Sequence, residues 1–137
     1  MAPRPSPLAS IMLGVLRIVA GLIFLEHGTQ KFLSFPPGPA AGMGLALDSM
    51  GAYAGIFEAG CGLLIAIGLF TRPAAFLASG VMAVAYWTAH FPRDFFPVNN
   101  MGDAAILYCF VFLYISAAGP GAWSLDGWRS AGRPPQP

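Results

Sequence analysis

Four apolar runs, each near the length of a bilayer crossing and each ended by proline or glycine, constrain this chain more than any other feature. A spanning helix needs roughly 20 mostly apolar residues. The runs cover about 8–33, 49–70 (SMGAYAGIFEAGCGLLIAIGLF), 73–90 (PAAFLASGVMAVAYWTAH) and 102–118 (GDAAILYCFVFLYISAA). Between them lie SFPPGPAAG, TRP, HFPRDFFPVNN and GPGAW. Proline removes a backbone donor and glycine costs chain entropy, so these segments end helices. Only 9% of the 137 residues are charged, against about 25% in a soluble domain. Such a chain cannot solvate a globular surface, and lipid must cover most of it. The expected architecture is all-α: one integral membrane four-helix bundle spanning residues 1–137, with a disordered tail over 127–137. The net charge of +1 offers nothing to nucleic acid. Cys61 and Cys109 show no CxxC or metal-ligand spacing and read as small core hydrophobes. Arg17 interrupts the first run and no small-residue cleavage site follows it, so that run reads as an uncleaved span.

Four spans place both termini on one side. Arg4, Arg72, Arg129 and Arg133 share that side, and Lys31 and Arg93 lie opposite. The positive-inside rule then predicts cytoplasmic termini, with the chain a multi-pass protein of the bacterial cytoplasmic (inner) membrane. The tight TRP turn makes the second and third spans antiparallel neighbours.

The charges inside the runs carry the functional information, because each is costly in a bilayer and tends to face inward toward a partner. At 100° per residue Gly14, Arg17, Gly21, Phe24, Gly28 and Lys31 form one stripe of the first helix, and Gly51, Gly55, Glu58 and Gly62 form one stripe of the second. Glycines permit close helix approach. The matched spacing predicts an Arg17–Glu58 ion pair, with Glu58 read either as a structural lock or as a proton or ligand site. Glu26 points about 180° away from Arg17, toward lipid, another helix or a second protomer. At the opposite end His27, Lys31, His90 and Asp103 converge as ligand or proton-site candidates. Arg93, Asp94 and Asp103 also fit ordinary interfacial anchoring. No metal site is assigned, since the two histidines and Asp103 come from three helices without ligand spacing, and no residue is assigned a catalytic role. Tyr86, Trp87, Phe91, Phe95 and Phe96 form either an interfacial belt or the wall of a flat apolar pocket.

Arg17, Gly21 and HGTQKF in the first span, FEAGCGLLIAIGLFTR in the second, HFPRDFF (90–96) and GPGAWSLD (119–126) together resemble the DoxX family of small four-helix membrane proteins. The resemblance runs over about 14–128. Asp94 stands where the family often has glycine and Asp103 where glutamate is common, so a glutamate role does not transfer intact to Asp103. The resemblance implies association with thiosulfate:quinone oxidoreduction or with redox-defence enzymes. Three functions follow. One is a quinone-linked or redox-homeostasis oxidoreductase subunit, with Lys31, His27 or His90 hydrogen-bonding a quinone and Asp103 or Glu58 carrying protons. The chain has no haem motif, cluster cysteines or flavin fingerprint, so electrons would come from a redox-enzyme partner subunit. The others are a non-catalytic scaffold or assembly factor for redox enzymes, consistent with a homo-oligomer through Glu26, and small-solute passage along the polar stripe.

Overall fold

A computed structural model describes residues 6–132. All regular structure among these residues is helical: α1 (Pro7–Leu33), α2 (Met50–Ile67), α3 (Thr71–Ala85), α4 (Pro97–Asn100), α5 (Asp103–Ala118) and α6 (Leu125–Ala131). A π-helical turn (Tyr86–His90) and a 3-10 turn (Phe91–Arg93) continue α3 toward α4. Pro7–Leu33, Met50–Ile67 and the continuous helical stretch Thr71–Arg93 are long and apolar enough to cross a membrane, and Asp103–Ala118 is a shorter apolar helix. These four form the bundle.

Local chemistry sets the ends of these helices. Ser6, Ser49 and Ser124 cap α1, α2 and α6, each side-chain oxygen accepting from the backbone N–H three residues on, which satisfies one of the free donors of the first turn. Gly68 ends α2 in the left-handed region at φ 70°, and a Cβ there would meet Ser124 Cα at 2.8 Å. A side chain is excluded twice over, by conformation and by contact. α3 has no cap of its own; Phe70, preceding it, also has positive φ (48°). Its donors are satisfied from a distance by Asp126, whose Oδ1 accepts from Phe70 N (3.0 Å) and Oδ2 from Thr71 N (2.9 Å). Burial pushes the Asp126 carboxyl up, but hydrogen bonds from Thr71 and Phe70 and the nearby Arg129 charge outweigh it and hold the group below its ordinary range.

The helices pack as two antiparallel pairs, α1 with α2 and α3 with α5, joined through the α2–α3 contact and through Phe24 of α1 against Tyr108 and Phe112 of α5. The glycine stripe of α1 is its buried face: Gly14, Arg17, Gly21, Phe24 and Gly28 are all buried. A Cβ on Gly28 would lie 2.7 Å from Ala59 Cα, so the α1–α2 approach depends on that residue having no side chain. Phe24 and Phe112 meet at 4.9 Å between ring centroids, and Ile65, Ile115 and the alanines of α3 complete the core. Cys61 is buried in that core and Cys109 packs against it. The expected disordered tail is corrected over 127–131, which belong to α6 because Ser124 caps it and Asp126 anchors it to α3. Residues 133–137 of that expectation, and Arg4 and Arg133 with their expected placement, lie outside the described residues.

Candidate functional site

The register of α1 against α2 decides which charges meet. Gly28 lies over Ala59 and Gly21 over Ala66, so the last turn of α2 lies opposite Gly21, one turn short of Arg17. The expected Arg17–Glu58 pair is therefore not formed. Arg17 lies beyond the end of α2, wholly buried, with its guanidinium held by five backbone carbonyls. Nε donates to Pro120 O (2.7 Å), one terminal nitrogen to Ile65 O and Ala66 O (2.8 and 2.6 Å), and the other to Ala122 O and Trp123 O (3.1 and 2.8 Å). The planar fork of five donors matches this cage. Arg17 thus closes the carbonyl end of α2 and ties it to the 119–124 segment. Arg72 does the same for α5 through Ser116 O and Ala117 O. Both sites are structural, at the end of the bundle that carries the termini.

The same register carries Lys31 to Glu58. Lys31 Nζ lies 2.5 Å from Glu58 Oε2, with the two side chains 13% and 7% exposed. The pair stands in the wall of a cleft of about 830 Å³ between the α1–α2 and α3–α5 pairs. Residues of α2 and α3 supply most of its lining, with His27 and Lys31 of α1 and Tyr108 of α5 beside them. His27, Lys31, Glu58 and His90, four of the five candidates from the sequence, line the cleft. Asp103 does not: it is exposed in the first turn of α5, where a negative charge suits the helix dipole, and its expected place in the cluster is corrected to the helix end. Among the described residues no three His, Cys, Asp or Glu side chains come together as a metal site.

His90 closes the π-helical turn, a feature that often re-aims side chains at functional sites. Its Nδ1 lies 3.1 Å from Asn100 O. A carbonyl only accepts, so neutral His90 carries its proton on Nδ1 and leaves Nε2 as an acceptor. Asn100 is fully buried and organises the 86–102 segment: its Nδ2 donates to Asp94 O (2.9 Å) and Tyr86 Oη (3.4 Å), and its Oδ1 accepts from Gly102 N (2.8 Å). Asp94 closes its own turn by accepting from Phe96 N (2.7 Å).

Of the two readings of the aromatic run, interfacial belt or pocket wall, the wall is not formed: Trp87 packs on Phe91 at 4.8 Å and Phe95 on Phe96 at 5.3 Å between centroids, and none of the run lines the cleft. Tyr53, Phe57, Phe76 and Tyr108 provide the aromatic lining. Sequence reasoning missed these four, and the organising role of Asn100. The available signal was weak: Tyr53 and Phe57 lie one helical turn apart, and both precede Glu58 on α2. Glu26 is exposed, away from the cleft, beside a small recess with Gln30 and Pro36.

The DoxX family model matches residues 12–91, covering α1 from Met12 onward, α2, α3 and the π-helical turn with His90. An uncharacterized protein of Haemophilus influenzae is 44% identical over 117 residues, covering 83% of this chain and 87% of its own length. An uncharacterized membrane protein of Mycobacterium tuberculosis, Rv3486, is 32% identical over 127 residues, 81% of this chain and 77% of its own. No solved structure matches. The chain belongs to the DoxX family and is a membrane protein.

Proposed function

We propose that this DoxX-family chain is the membrane subunit of a quinone-linked redox system and that its cleft receives the quinone head group. The observation that carries the reading is the Lys31–Glu58 pair in the cleft wall. Desolvating two charges offsets most of their attraction, so a buried ion pair is a poor device for stability alone. Within a membrane such groups ordinarily mark a ligand or proton site. Lys31 directs one ammonium donor at Glu58 and one at His27 O (3.4 Å), and the third suits a quinone carbonyl. The Glu58 carboxylate and the His27 and His90 imidazoles are groups able to take up and release protons. Quinone reduction consumes two protons at this site and two electrons from a partner redox subunit.

Among the described residues, exposed Arg72 and Arg129 lie at the end with α6, whereas at the other end only Arg93 is exposed and Lys31 is sequestered by Glu58. This asymmetry favours cytoplasmic termini and puts the polar end of the cleft near the outer face of the bacterial cytoplasmic membrane. A second reading, a scaffold for redox enzymes, is favoured by Glu26: an exposed carboxylate on the outward face of α1 suits a partner helix or a second copy.

The test is binding of a tail-bearing benzoquinone to the protein in nanodiscs. Wild type should bind saturably. Lys31→Met combined with Glu58→Gln removes both charges, strands neither, and should abolish binding while leaving the thermal transition cooperative. Undiminished binding by the double variant, or none by wild type, removes the quinone reading.

A further inference from the structure

We infer that Gly80 forms a lateral port through which the hydrocarbon tail of a single-chain amphiphile leaves the cleft for the bilayer. This rests on the ligand-binding reading of the cleft and concerns the tail of the ligand where that reading concerns the head. Gly80 lies in the middle of α3, is exposed, and lines the cleft. Glycine is a poor residue for a helix interior relative to alanine, so packing usually explains it in a membrane bundle. Packing does not explain it here: a Cβ on Gly80 would meet nothing within 4 Å. The contrast is with Gly28, where α2 fills the space.

The lining is graded. His90 and Lys31 stand toward the loop end of the cleft with Phe57 beside them, His27 and Glu58 lie just beneath, and Phe76 and Leu77 stand toward the turn that joins α2 and α3. From His90 to Gly80 is about 15 Å along the helix. Tyr53 and Phe57 on α2 and Leu77 and Val84 on α3 line the cleft and are themselves exposed, so the rim between these helices is open to lipid. A polar end near the membrane surface and an apolar, laterally open course toward its centre match an amphiphile lying as it does in a leaflet. The volume is that of one drug-sized ligand, which a head group and the first part of one chain would fill.

Gly60 provides the control. It is also a helical glycine with open surroundings, exposed on α2, but it lies outside the cleft. Gly80→Trp and Gly60→Trp are compared in nanodiscs for a benzoquinone with a long isoprenoid tail and for a tail-free analogue of the same head. Gly80→Trp should weaken the tailed probe by about tenfold or more, the effect of overfilling a formed site, and leave the tail-free probe within about twofold. Gly60→Trp should change neither, and both should keep the wild-type thermal midpoint. Equal loss in both variants, or undiminished affinity of Gly80→Trp for the tailed probe, overturns the port. If wild type binds neither probe, the quinone reading fails and native mass spectrometry of the gently solubilised protein decides the port. An amphiphile carried by wild type and Gly60→Trp but missing from Gly80→Trp supports it. One retained by Gly80→Trp, or found on none of the three, overturns it.

Discussion

Replacing Arg17 by leucine should be among the most damaging single changes in this chain, and for a reason unrelated to Glu58. The side chain is wholly buried and satisfies five backbone carbonyls. A hydrogen bond to a charged group contributes about 1.5–3 kcal/mol, so five taken separately would equal the entire stability of a small domain. They share one cation whose own desolvation costs several kcal/mol, and removing one side of such an arrangement typically costs about 3–5 kcal/mol. We therefore expect a loss of about 4 kcal/mol for Arg17→Leu. Arg17→Lys keeps the charge but offers three donors from one point in place of a planar fork. It should recover about half of that loss. The assay is denaturant or thermal unfolding of the detergent-solubilised protein, with Glu58→Leu measured in both backgrounds. Because Lys31 and not Arg17 is the partner of Glu58, the Arg17 and Glu58 effects should add. A coupling above about 0.5 kcal/mol between the two, or an Arg17→Leu protein as stable as wild type, would refute the carbonyl-cage account.

The Asp126 cap on α3 makes a pH prediction. Its folded pKa is depressed, so its contribution is present above the unfolded value of about 3.9 and is lost as pH falls from there through the folded value. Asp126→Asn should flatten the acid limb of the stability profile, and Asp126→Ala should cost about 1 kcal/mol at neutral pH; an unchanged acid limb would show that the carboxylate does not cap the helix. Topology is tested by reporter fusions: a reporter active only in the cytoplasm should work after Arg72 and at the C-terminus and fail within 36–44, and the opposite pattern would invert the membrane orientation.

Much of the bundle was legible because its determinants are local. Apolar runs broken by proline and glycine specify helices, and scarcity of charge specifies lipid. The 3.6-residue periodicity of Gly14, Arg17, Gly21, Phe24 and Gly28 marks the buried face of α1 whatever lies against it. The same periodicity marks Lys31 and Glu58 as inward groups, and their cost in a membrane singles them out.

Partnership was not legible, because it depends on the sliding register of one helix along another. Two glycine stripes can pack in several registers, and one places Glu58 near Arg17 while another places it near Lys31. The choice was made by the particular contacts of Gly28 with Ala59 and Gly21 with Ala66, which only the assembled bundle exhibits. The partners of Arg17 were hidden for a different reason: every residue carries a carbonyl, so no side chain announces a backbone cage. The cleft likewise belongs to no segment. The sequence by itself determined four helices, their inner faces and the polar groups on them; the tertiary structure decided which charges pair, and left between two helix pairs the space that His27, Lys31, Glu58 and His90 share.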